Sequence, residues 1–218
     1  MSVPTVVLGP RTRLATALLC ASSDELVLVA RDAAEERALV ASRPGTAILR
    51  AWEDAAIAPR EAAAVVCCAL GPIHPDAPDP AKDAAATVRD LAVVARVVRA
   101  QPAAHVVFVS SVLALSPRGA RAYYAGAKGL AEGALAALVA AHPGARLSVL
   151  YPGRLIEARS AGRPASFLYT TYAAMADAIV RELRRGRGGR RIVGADARLW
   201  LAARGVASFA SALRGRPV

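Results

Sequence analysis

The sequence predicts an α/β protein: one domain over residues 1–218, built on a doubly wound parallel sheet of about seven strands with helices on both faces. Three observations carry that expectation. Short, almost uninterrupted apolar runs alternate with longer segments of helical character, the pattern of strands buried on both faces and joined by crossover helices. A chain of 218 residues is long enough for one sizeable core and short for two. No internal repeat or interdomain linker is evident.

In chain order, Val3–Leu8 reads as the first buried strand and Arg13–Ala21 as the helix after it, with a turn from Gly9 between them. Leu26–Ala30, Thr46–Leu49 and Ala64–Ala69 read as the next three strands, with a helix over Ala33–Val40. Pro72, Pro75, Pro78 and Pro80 make Gly71–Pro80 an extended loop, because proline fixes φ and has no N–H to give a ladder. Helix Ala81–Ala100, strand Val106–Ser110, helix Tyr123–Ala141 and strand Arg146–Leu150 follow. The pattern ends with helix Tyr172–Arg184, strand Arg191–Val193 and a C-terminal helix over 196–213. Arg184–Arg191, mixing Gly and Arg, reads as an exposed turn whose charge is solvated.

Composition narrows the function classes. The net charge is +11 and almost all of the positive charge is arginine, Lys82 and Lys128 being the only lysines. The arginines are spread along the chain and not interleaved with aromatics, so a solvated surface is expected and no nucleic-acid partner. No apolar run reaches the roughly 18 residues of a membrane span, and the first residues show neither a basic leader nor a cleavage site. A cytoplasmic protein is expected. The tail stripe Leu199-Trp200-Leu201, Val206 and Phe209 is expected to pack on the domain and not to contact membrane. Cys20, Cys67 and Cys68 are expected as reduced, buried thiols, since strand neighbours point to opposite faces and cannot bridge. His74, His105 and His142 lack metal-ligand spacing, so no metal is expected.

Tyr124-Ala-Gly-Ala-Lys128 places a phenol and an ammonium one turn apart on one helix face. A nearby cation favours the phenolate, so Lys128 is expected to lower the Tyr124 pKa and fit it for acid–base work on a carbonyl–alcohol couple. Ser111, thirteen residues earlier, follows the fifth strand and would sit at the ligand-binding edge of a parallel sheet. Tyr123 has Ala127 four residues on, not a lysine, which singles out Tyr124.

Strand, Ser110-Ser111, Tyr-x-x-x-Lys, and then Tyr151-Pro152-Gly153 after the next strand: in this order and spacing the chain resembles the short-chain dehydrogenase/reductase family over about Val3 to Gly153. The resemblance implies a Rossmann fold, a nicotinamide cofactor and an oxidoreductase interconverting a ketone and a secondary alcohol. It implies that Ser111 orients the substrate carbonyl and Tyr124 transfers the proton. Lys128 would bind the nicotinamide ribose beside Tyr124, and Pro152 and Gly153 would wall the nicotinamide. Residues 154–168 would cover a small-molecule carbonyl or alcohol substrate, anionic if Arg154, Arg159 and Arg163 face it. A homodimer or homotetramer is expected through helices Ala81–Ala100 and Tyr123–Ala141.

The cofactor end departs from the family pattern G-x-x-x-G-x-G. Gly9 is kept, while Arg13 and Ala15 stand at the other two glycine positions. Arg13 could grip a phosphate in place of the close backbone approach that glycine permits. Arg31 ends the second strand 22 residues beyond Gly9, where an acidic residue would bond the NAD ribose. With Arg11 it implies NADP(H). Cys67-Cys68-Ala69 replaces Asn-Asn-Ala, with Ala69 still placed against the cofactor. The chain has no asparagine, so a backbone carbonyl or Thr87 must replace the one that helps hold a relay water. These departures leave two alternatives open: a non-redox epimerase, dehydratase or cyclase using Tyr124, and a dinucleotide-sensing regulatory protein without turnover.

Overall fold

The computed structural model describes residues 4–30, 32–42, 47–50, 63–71, 79–159 and 164–213. Its strands and helices alternate as β1 (Thr5–Leu8), α1 (Arg13–Ala21), β2 (Leu26–Ala30), α2 (Ala33–Ser42), β3 (Ala47–Arg50) and β4 (Ala64–Cys67). After them come α3 (Pro80–Ala100), β5 (His105–Val109), α4 (Ala122–Ala140), β6 (Arg146–Pro152), β7 (Leu155–Ile156) and β8 (Thr170–Thr171). The last elements are α5 (Tyr172–Arg185), β9 (Gly189–Val193) and α6 (Ala195–Leu213).

Seven strands form one sheet in the order β3-β2-β1-β4-β5-β6-β9, every pair parallel. The chain winds outward from β1 to β3, then restarts at β4 on the other side of β1. That reversal opens a crevice above the carboxyl ends of β1 and β4, the usual ligand position in such sheets. β7 and β8 form a separate two-stranded parallel ribbon.

Side chains leave each strand alternately, so the sheet has a core on each face. On one, Val6, Val65, Val106 and Phe108 meet Val94, Val97 and Val98 of α3 and Leu135 of α4. On the other, Val7, Leu28, Val66 and Val107 meet Leu14 and Leu18 of α1 and Met175 and Ile179 of α5. Cys67 joins the first core and Cys68 borders the second, so the two thiols do face opposite sides. All three cysteines are free. Cys20 corrects the expectation of burial, since its side of α1 is exposed.

The arginines expected as a solvated turn are a second correction: Arg190 and Arg191 lie within β9. Arg191 Nε donates to Glu182, which is 1% exposed and also accepts from Ser148 Oγ at 2.9 Å. Arg190 pairs with Glu132 at 2.7 Å, and Glu132 accepts from the Tyr151 hydroxyl, also at 2.7 Å. A buried carboxylate needs a partner, and these two find theirs in a segment that looks merely solvated in one dimension. Among the described residues no helix is long and apolar enough to cross a membrane.

Candidate functional site

β5 ends at Val109, and the two serines that follow lie at the mouth of the sheet. Ser111 caps a short 3₁₀ turn over Val112–Leu115, its Oγ accepting from the Leu113 N–H at 3.3 Å. One face of α4 presents Tyr124 and Lys128 to the same space. Ser111, Tyr124 and Lys128 line one cleft of about 730 Å³ together with Gly9, Arg11 and Arg13 on one side and Pro152 and Gly153 on another.

Lys128 is 4% exposed. Its ammonium donates to the Leu70 carbonyl at 2.6 Å and stands 5.6 Å from the centre of the Phe108 ring and 5.8 Å from that of Tyr124. Burial pulls its pKa down to about 8, opposed by the neighbouring Cys67, Asp90, Asp83 and Cys68. Tyr124 corrects the sequence expectation. Its phenol is pushed above the ordinary value, because burial outweighs the Ser111 hydrogen bond and the Arg121 charge that act the other way. The structure therefore presents a protonated phenol. Cys68, also lining the cleft, is pushed up to about 12 by burial, so it is no thiolate at neutral pH.

Of the two substitutes for the missing asparagine, the Leu70 carbonyl reaches Lys128, whereas Thr87 Oγ1 donates to Asp83 O in its own helix at 2.7 Å. Asp90 is the residue that sequence reasoning missed. It is 7% exposed and lies on the same α3 stripe as the buried Val93, Val94, Val97 and Val98. An acid at that spacing on an apolar helix face was the available signal.

The β1–α1 turn fits a dinucleotide. Gly9 has φ +75°, and a Cβ there would stand 2.4 Å from Ala69 Cβ, so only glycine lets the turn and the end of β4 approach so closely. Thr12 caps α1, accepting from the Ala15 N–H at 3.1 Å and donating to Gly9 O at 2.8 Å. Arg13 does not fill the turn: its side chain reaches out to Glu157 at 3.0 Å. Ser110 Oγ is buried along the cleft without a hydrogen-bond partner, a polar atom that a bound ligand can satisfy. Arg11 also borders a smaller hollow of about 260 Å³ with Asp32, Glu35 and Arg89. Arg31 lies outside the described residues, as do Arg163, His74, Pro72, Pro75 and Pro78.

Gly153 abuts the Asp196 carboxylate, with room for no side chain. Asp196 Oδ2 accepts from the Arg154 N–H at 2.7 Å and so braces this wall from α6. Of the described arginines of the following segment, neither lines the cleft: Arg154 lies over the Tyr169 ring at 5.4 Å and Arg159 is exposed. Among the described residues no cluster of His, Cys, Asp and Glu could hold a metal ion.

No family model and no curated protein matches the chain. Solved structures do. A short-chain dehydrogenase from Burkholderia cenocepacia J2315, in complex with NADP, superposes with a TM-score of 0.63 at 20% identity over 98% of this chain and 96% of its own. A short-chain dehydrogenase/reductase from Vibrio parahaemolyticus gives 0.59 at 17% identity over 87% and 98%. A protein from Bacillus halodurans described as an NAD-dependent epimerase/dehydratase gives 0.64 at 19% identity over 87% and 92%. The chain thus has the Rossmann fold of the short-chain dehydrogenase/reductases.

Proposed function

We propose that this chain, folded as the short-chain dehydrogenases and reductases are, is an NADP(H)-dependent reductase or dehydrogenase interconverting a ketone and a secondary alcohol. The observation that carries the reading is the convergence of Ser111, Tyr124 and Lys128 on one cleft with the Gly9 turn and the Pro152–Gly153 wall. Gly9, Arg11, Arg13, Ala69, Lys128, Pro152 and Gly153 would hold a nicotinamide dinucleotide there, which would supply or accept the hydride.

The remaining chemistry belongs to the chain. Ser111 Oγ holds the carbonyl oxygen still. Tyr124, kept protonated by burial, gives its proton to that oxygen as negative charge develops there. Lys128, cationic below about pH 8, stabilises the phenolate left behind. The same phenol serves as acid in carbonyl reduction and, as phenolate, as base in alcohol oxidation. Arg11 supports NADP(H) over NAD(H), since a guanidinium suits a 2′-phosphate. The substrate class is a small carbonyl or alcohol compound. Self-association through α3 and α4 is also proposed, because Val88 and Leu130 leave 67% and 77% of their surface open there.

Incubation with NADPH and a panel of ketones, followed by absorbance, tests the reading. Oxidation that Tyr124→Phe abolishes supports it; product formed with no net oxidation of NADPH overturns it. That second outcome belongs to an epimerase, dehydratase or cyclase using the same tyrosine. Arg13 and Ala15 at glycine positions favour this alternative, as does the description of the Bacillus halodurans neighbour. A protein that binds NADPH but oxidises none of it would be a nucleotide sensor.

A further inference from the structure

A charged side chain of the cleft lining is paired with one just beyond it. Arg13, the first residue of α1, lines the cleft and pairs with Glu157 at 3.0 Å, both side chains being about two-thirds exposed. Neither is on a loose tail. Thr12 pins the start of α1 through Ala15 N and Gly9 O. Glu157 directly follows β7, which is paired to β8 and anchored from below by the Arg154 N–H on Asp196. The pair therefore ties two fixed rims together in front of the α1 N-terminus, where backbone N–H groups and the helix dipole favour an anion.

An exposed ion pair in water is weak and readily exchanged. A diphosphate offers the same guanidinium more charge and oxygens spaced for its planar fork. We propose that Glu157 is an internal competitor for Arg13: its carboxylate holds the guanidinium until the diphosphate of a dinucleotide displaces it. Glu157 thereby sets cofactor affinity. The arrival of cofactor on the α1 side also frees Glu157 at the end of β7, on the side proposed for substrate, and linkage makes that coupling reciprocal. The inference rests on the cleft being a dinucleotide site.

Titration of the full chain with NADPH at fixed ionic strength, read by nucleotide fluorescence, tests it. Glu157→Gln, which keeps the shape and removes the charge, is expected to bind NADPH about threefold tighter, the scale of a surface ion pair. Arg13→Ala is expected to bind several-fold more weakly, and in that background Glu157→Gln should change nothing. Adenosine 2′-monophosphate, which lacks the diphosphate, should bind wild-type and Glu157→Gln protein alike. Unchanged or weaker NADPH binding by Glu157→Gln overturns the proposal. A gain that persists with Arg13→Ala, or that extends equally to adenosine 2′-monophosphate, also overturns it, since simple removal of a negative charge would then explain everything. Failure of both wild-type and Glu157→Gln protein to bind NADPH or NADH removes the dinucleotide reading itself, and the competitor with it.

Discussion

At the scale of the residue, Lys128 shows the tension between stability and chemistry. Its ammonium is buried with one carbonyl partner, and its pKa falls from 10.5 to about 8. The unfolded chain keeps that proton up to about pH 10.5, whereas the folded chain releases it above about 8, so folding stability rises with pH between the two. Below pH 8 the buried charge costs on the order of 3 kcal/mol. Lys128→Met is therefore expected to be about 1 kcal/mol more stable at pH 7, after allowing for the lost donor to Leu70, and inactive. Denaturant unfolding at pH 7 and at pH 10.5 checks this: the advantage should vanish at the higher pH. That Ser111, Tyr124 and Lys128 line one cleft was legible in their order and spacing together with the family resemblance. The direction of the Tyr124 pKa was not, because spacing reveals that a lysine is near but not how deeply the phenol is buried.

Elements were legible in proportion to their length. Helices of nine or more residues and four- to seven-residue apolar runs are long enough to read, and they fall within a residue or two of their expected bounds. β7 and β8, two residues each, are too short. The pairing of Arg190 and Arg191 with buried carboxylates was hidden for a different reason: Glu132 and Glu182 sit on other elements, α4 and α5. The β1–α1 turn was legible as a turn, but not its contact with β4. That contact yields a prediction. Gly9→Ala combines a positive φ with a Cβ 2.4 Å from Ala69 Cβ. The left-handed conformation costs about 1–2 kcal/mol, and the overlap adds more. The double variant Gly9→Ala, Ala69→Gly should recover the part due to the Cβ–Cβ overlap and keep the backbone part, together with the 3.0 Å approach to the nitrogen of residue 69, as thermal unfolding of both will show.

At the scale of the molecule, β6, β9 and α5 are joined by polar groups as well as by the core. Ser148 Oγ gives its single proton to Glu182, so the His105 Nε2 at 2.8 Å must be the protonated ring nitrogen. Glu182→Ala strands Ser148 and Arg191 together and should destabilise the fold by about 3 kcal/mol, with nucleotide affinity unchanged in what stays folded; denaturant unfolding and NADPH titration separate the two effects. Leu130→Glu places a charge on the exposed α4 face and should leave a folded, smaller species by sedimentation if the molecule self-associates there. The strand order has a consequence during synthesis. Thr5 takes its second neighbour from Ala64, so a nascent chain that has not yet delivered β4 from the ribosome offers one side of β1 as a row of unpaired N–H and C=O groups. Fragments ending before residue 64 should therefore clump.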